Sequence, residues 1–305
     1  MKWTVIPLLL AFATPLLAEP PKFQPVDGDR IVFLGGTLAE RDQTYSYFES
    51  MLITRFKNVN FTFRNLAWSG DTVWGEARVG FGTQKDGYLS LQFHVGESKP
   101  TLLFVNYGMN ESFDGEAGLS HFIEGYNALL DDLSKTGAKI WLISPNRHED
   151  LGRPLPDPTG HNKQLEMYTN AIARIAEKRG LGFVNLFNAL PDGTKETPPH
   201  PLTDNGIHFN DYGARRFAIA MAKGLGIDLS NGDPFSGLSP ETAKNIQTLV
   251  NRKNREFFYR WRPQNDTYIF GFRKHEQGRN AVEIPQFDPI IEKLEAQINV
   301  LKKQK

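Results

Sequence analysis

The chain of 305 residues has no cysteine. That one absence excludes disulfides, thiol nucleophiles, thiolate metal sites and anchoring through a lipidated cysteine. It also lacks an excess of either charge, with 35 Lys and Arg against 35 Asp and Glu. A balanced surface has no general attraction for a nucleic-acid backbone or an anionic membrane, so neither is an expected partner. Internal repeats and low-complexity tracts are missing too. Only Val5 to Leu17 is a sustained apolar run, and it is short for a membrane span. Lys2 precedes it, and Ala18 follows it just before Glu19. This reads as a secretory signal peptide, residues 1–18, cleaved after Ala18 although Leu16 holds a place where a small residue is usual. The expectation is an exported protein, periplasmic or secreted, with no integral membrane segment left after cleavage. About 40% of the chain is apolar, enough for a core that needs no disulfide staples.

The remaining pattern is an alternation. Arg30 to Leu34 is a short apolar run closed by Gly35-Gly36 and reads as a buried strand. Further strands are expected over 59–66, 101–105, 139–143 and 183–186. Tyr45, Phe48, Leu52 and Phe56 fall three and four apart, so 38–56 reads as one amphipathic helix. Helices are also expected over 119–133, 165–178 and 212–225. Strands alternating with helices predict an α/β fold, three layers deep, with a parallel sheet covered on both faces. Ligands of such sheets bind outside the carboxyl ends of the strands. Residues 19–228 would form this domain. Residues 228–240 have linker composition, and 229–305 form a C-terminal helical and aromatic extension, expected to pack on or near the active-site face. Within it the pattern predicts a helix over 240–256, an aromatic strand at 268–272 and an amphipathic helix over 288–303.

Chemistry concentrates in four blocks: Phe33-Leu34-Gly35-Gly36-Thr37, Asn65 to Thr72, Gly108-Met109-Asn110-Glu111, and Asp204-Asn205-Gly206-Ile207-His208. Thr37, opening a helix at a strand end, offers a hydroxyl near the positive end of a helix dipole. The same residue, three before Glu40, fits a capping box, and the local sequence allows either role. Asn110 supplies an amide donor suited to an oxyanion. His208 is a base near neutral pH.

The order and spacing of the blocks resemble the SGNH (GDSL-type) hydrolases, over residues 28–226. Exported members from planctomycete-type bacteria resemble the chain further, in a glycine-rich first block and a C-terminal tail. The resemblance implies a flavodoxin-like sheet and an ester hydrolase. It implies Thr37 as nucleophile where the family has Ser, and Gly36 where it has Asp. It makes the Gly70 backbone N–H and Asn110 the oxyanion donors and His208 the base. The acid three residues before that histidine is replaced by Asn205. Asp204 is the alternative partner, offset by one residue.

Two polar stretches complete the expected site. Arg147 and His148 follow the fourth strand, and Arg273, His275 and Glu276 lie in the extension; all five are candidate substrate contacts. His275-Glu276 lacks metal-site spacing, and neither a metal nor a cofactor is expected. The expected activity is deacylation of a carbohydrate or other small ester, with deacetylation the leading case. The rival expectation is a catalytically impaired module that binds a glycan or a protein in the same crevice.

Overall fold

The computed structural model describes residues 22–190, 192–276 and 280–304; residues 1–18, expected to be a signal peptide, lie outside them. The elements run β1 (Arg30–Gly35), α1 (Thr37–Tyr45), α2 (Tyr47–Arg55), β2 (Thr62–Asn65), α3 (Gln84–Ser98), β3 (Leu102–Asn106), α4 (Gly115–Ser134), β4 (Lys139–Ile143), α5 (Thr159–Arg179), β5 (Gly182–Val184), α6 (Leu186–Ala189) and α7 (Asp211–Gly224). The extension adds α8 (Pro240–Trp261), α9 (Asp266–Ile269) and α10 (Phe287–Leu301). All strand pairs are parallel, in the order β2-β1-β3-β4-β5. This is the flavodoxin-like doubly wound sheet, whose order reverses between β1 and β3 and opens a crevice there.

Strand side chains alternate between two cores. Ile31, Phe33, Leu102, Phe104, Trp141 and Ile143 face α2 and α7, with Phe48, Met51, Phe217 and Met221 opposite. Val32, Leu34, Leu103, Val105, Ile140 and Leu142 face α4 and α5, with Phe122, Tyr126, Leu129 and Ile172 opposite. Both faces are thus covered, which explains why the strands read as apolar runs rather than alternations.

Two local expectations are corrected, and one helix was not expected. The single helix over 38–56 is two helices, α1 and α2, broken at Ser46, whose φ is 54°. Ser46 is fully buried, and its Oγ accepts a hydrogen bond from Asn254 of α8. Residues 268–272 form no strand; they include the end of α9 and the turns after it. The helix α3 carried no expectation, because its Leu89 and Phe93 point outward and blur its apolar stripe.

The extension is built into the domain. The α8 helix packs on α1, α2 and the edge strand β2, and α10 packs on α8. Ile246 and Val250 of α8 and Ile298 of α10 enclose Ile53 of α2. Lys253, buried, lies 2.6 Å from the Glu49 carboxylate and donates to the Phe63 carbonyl of β2 at 3.0 Å. Lys302, just past α10, caps the Val59 carbonyl, and Arg64 of β2 pairs with Glu295. The otherwise open β2 edge is covered in this way.

Candidate active site

The first three blocks meet at the β1/β3 crevice. Gly35 ends β1 so close to β3 that a Cβ there would lie 2.3 Å from the Asn106 carbonyl oxygen; only glycine fits. Gly36 follows as the N-cap of α1 and offers no side-chain cap. Thr37 is the first helical residue, and its Oγ1 accepts the Gly70 N–H at 3.1 Å. The capping-box alternative is therefore not formed. Glu40, its would-be partner, instead accepts the Ser69 N–H at 2.6 Å and pairs with Arg262 at 2.9 Å.

The Gly70 turn is braced from three sides. Asp71 and Arg78 form a fully buried ion pair at 2.6 Å. Tyr107 donates to the same Asp71 oxygen. The Arg262 guanidinium, just beyond α8, lies 3.5 Å from the Trp68 ring centroid. Arg262→Ala would remove both the Glu40 pair and this cation–π contact. It is expected to lower unfolding free energy by about 1–2 kcal/mol, measured by urea titration.

Asn110 donates to the Asp71 carbonyl at 2.8 Å, which leaves its second amide hydrogen for a ligand. A Cβ at Gly36 would lie 3.6 Å from this Nδ2 and 3.3 Å from the Asp71 oxygen. The amide thus works close to the place where the family's Asp would begin. Glu111, buried, accepts the N–H groups of Val73 and Gly108, tying the second block to the third. Burial pushes its carboxyl up to about 7, against the pull of those N–H donors.

The fourth block hangs on Glu149, whose buried carboxylate accepts from Gly193, Leu202 and Thr203 N–H groups. It holds the turn that carries His208. There Asn205 Oδ1 accepts the N–H groups of Ile207 and His208, at 3.2 and 2.9 Å. Those two donors fix the amide, so its Nδ2 faces His208 Nδ1, at 3.2 Å. An amide nitrogen only donates, so Nδ1 must accept. The neutral imidazole then carries its proton on Nε2, the reverse of the triad arrangement. Asp204 is exposed and has no side-chain hydrogen bond to His208 among the described residues. Burial, then Arg41, holds the imidazole below its usual range, and Asp204 opposes them.

Thr37 and His208 line one small pocket with Leu38, Arg41, Asp42, Tyr45 and Met109. No hydrogen bond joins the two among the described residues.

These features match a known lineage over most of the chain. Residues 24–216 fit the model of the GDSL-like lipase/acylhydrolase family. The chain belongs to that family. Its fold is shared by a gut microbial diltiazem-metabolizing enzyme, with TM-score 0.64 at 12% identity over 94% of this chain and 97% of that one. The acetylxylan esterase Axe2 of Geobacillus stearothermophilus superposes with TM-score 0.53 at 16% identity, over 67% of this chain and 96% of its own. LAE5, an alpha/beta hydrolase enzyme from the metagenome of Lake Arreo, Spain, gives 0.51 at 16% identity over 67% and 98%. No curated protein matches the chain.

Within this GDSL-like protein the other candidate residues are scattered. Arg147 is held against α6, donating to the Phe187 carbonyl at 3.0 Å and stacking over its ring. His148 is closer to the site: buried, near His161 and His208, and pushed down to about 4 by burial foremost. Its Nε2 has no partner among the described residues. Arg273 and Glu276 pair with each other at the surface, His275 is exposed, and none of the three lines the Thr37 pocket. Sequence reasoning gave Asp42, Glu149 and Arg262 no role of their own, although Glu149 lies in the polar loop after the fourth strand. Glu40 gave a signal, its spacing from Thr37, and that signal pointed to a different partner.

Proposed function

We propose that this GDSL-like protein is an exported ester hydrolase that removes short acyl groups, acetyl foremost, from a carbohydrate, and that it turns over slowly. The observation carrying this reading is the Thr37 hydroxyl, 3.1 Å from the Gly70 N–H and in one pocket with His208. The acetylxylan esterase Axe2 among the structural neighbours supports the substrate class, and the apolar run after Lys2 supports export.

In the proposed reaction Thr37 Oγ1 attacks the ester carbonyl carbon and passes its proton to His208 Nε2. As Thr37 Oγ1 bonds to the carbonyl carbon it gives up the Gly70 N–H, which turns to the carbonyl oxygen, and the negative charge there is held by that N–H and the free Asn110 amide hydrogen. The imidazolium returns the proton to the leaving sugar oxygen. A water then repeats the sequence and releases the acid, restoring the Thr37 hydroxyl. The first step needs a lone pair on Nε2, where Asn205 instead places a proton. The threonine methyl stiffens χ1 and narrows the approach as well.

Labelling with a fluorophosphonate ester tests the reading. Wild type is expected to label slowly, and Thr37→Ala not at all. His208→Ala should label at least roughly 100-fold more slowly than wild type, within the usual contribution of a general base. Absence of wild-type labelling together with no turnover of 4-nitrophenyl acetate would sink it. The His208 tautomer favours a second reading, in which the crevice binds a glycan without cleaving it. That reading predicts saccharide binding by calorimetry with no ester turnover, even in Asn205→Asp.

A further inference from the structure

Asp42 is a buried carboxyl without a described partner. It lies on α1, five residues after Thr37, and is 7% exposed. Neither carboxyl oxygen takes part in a hydrogen bond or ion pair among the described residues; Oδ1 is wholly enclosed, which leaves Oδ2 as the oxygen a ligand can reach. An unpaired buried carboxyl costs stability, most when it is charged. The structure offers no repayment within the protein. Burial, with the Glu49 charge adding to it, pushes Asp42 up to about 8. Near neutral pH the group is therefore a carboxylic acid, able to donate one hydrogen bond and to accept others.

Its surroundings point toward a ligand. Asp42 lines the same pocket as Thr37 and His208, whose other walls include Leu38, Met109, Ile207 and Phe209. The space is about 20 Å³, room for one or two non-hydrogen atoms. A pocket of this size beside a nucleophile fits the end of a short acyl chain and rejects a long one. Its lining surface is mostly apolar, which suits the carbon of such a chain. The one unpaired acid suits a hydroxyl on it. Arg41, Tyr45 and His208 are the other charged or titratable groups of the pocket; Arg41 is exposed, and His208 Nδ1 is engaged by Asn205.

We propose that this pocket is the acyl subsite, that Asp42 is its polar anchor, and that the preferred acyl group is a short hydroxyacyl such as glycolyl. The proposal rests on the hydrolase reading but is tested separately from it. Sites built around a buried polar group discriminate strongly against a ligand that leaves that group unpaired.

The assay compares 4-methylumbelliferyl glycolate with the acetate, each corrected for spontaneous hydrolysis. The glycolate-to-acetate ratio of kcat/KM in wild type is expected to exceed that of Asp42→Leu by about tenfold or more. Asp42→Asn, which keeps the shape and a donor, should retain most of the preference. Because both changes remove an unpaired acid, both variants are expected to melt no lower than wild type, which certifies their folding. Equal ratios in wild type and Asp42→Leu overturn the proposal. If no ester is turned over, the hydrolase reading fails on its own, and the subsite is read by binding. Glycolamide should then shift the amide NMR signals of Asp42, Tyr45 and Ala214 in wild type, and acetamide should do so at least tenfold more weakly. Indistinguishable titrations, or no shift at those residues, overturn it.

Discussion

Replacing Asn205 with Asp is expected to raise hydrolysis of activated acetyl esters by about 10²–10⁴-fold. The amide carbonyl of Asn205 already accepts two backbone N–H groups, and its nitrogen faces His208 Nδ1. An aspartate in the same pose keeps both backbone bonds and turns the remaining donor into an acceptor. Nδ1 then carries the proton, and Nε2 presents a lone pair. In the proposed reaction the same carboxylate would stabilise the imidazolium that forms as Thr37 loses its proton. In the Ser-His-Asp template the opposite change, Asp to Asn, lowers kcat by about 10⁴-fold through the wrong tautomer. That factor corresponds to about 5 kcal/mol of barrier. The lower end of the range allows for the threonine methyl, which the substitution leaves in place. Steady-state kinetics with 4-nitrophenyl acetate in wild type, Asn205→Asp and Asn205→Asp with Thr37→Ala measure the effect. The gain should vanish in the double variant. A gain surviving there would mean that Thr37 is not the nucleophile.

Lys253→Met is expected to destabilise the protein by about 3–5 kcal/mol, the usual cost of breaking a buried ion pair from one side. Lys253 and Glu49 are 1% and 2% exposed and 2.6 Å apart. Asn254 donates to the second Glu49 oxygen at 2.7 Å, and Lys253 also donates to the Asn254 side-chain Oδ1. With the lysine gone, Glu49 would be a buried carboxylate with one amide donor left. Burial already pushes it above the usual carboxylate range, and Lys253 is the main group pulling it back. Pairing Lys253→Met with Glu49→Leu removes both charges and should recover most of the loss, since apolar replacements of whole buried pairs are often neutral. Urea unfolding of the two single variants and the double gives the coupling. Additive losses would mean that the pair is not the link between α8 and α2. The outcome bears on function as well, because α8 also carries the chain to Arg262, which steadies Trp68 beside the Gly70 donor.

The strands were legible because a sheet buried on both faces needs continuous apolar runs, and glycines closed them where the chemistry begins. The four blocks were legible for the same reason: each follows a strand end or a turn in the crevice. The break at Ser46 was not legible, since a tertiary hydrogen bond from Asn254 accompanies a backbone conformation that the surrounding apolar spacing contradicts. The helix α3 escaped because Leu89 and Phe93 face outward. At the site, Glu40 and Thr37 matched a familiar spacing, yet Glu40 turned to Ser69 and Arg262, partners far away in sequence. Asp42 carried no signal at all, because an acid on an amphipathic helix reads as surface until packing buries it. The role of Asn205 was visible as a missing acid. Its consequence for the histidine proton followed only from the direction in which two backbone N–H groups turn the amide.

The most direct test of the account is therefore the protonation of His208 itself. Long-range proton–nitrogen NMR of 15N-histidine-labelled protein, at a pH where the ring is neutral, reports which nitrogen holds the hydrogen; His208→Gln assigns the signal. The account predicts the proton on Nε2 in wild type and its transfer to Nδ1 in Asn205→Asp. A wild-type His208 protonated on Nδ1, with a free lone pair on Nε2, would contradict it.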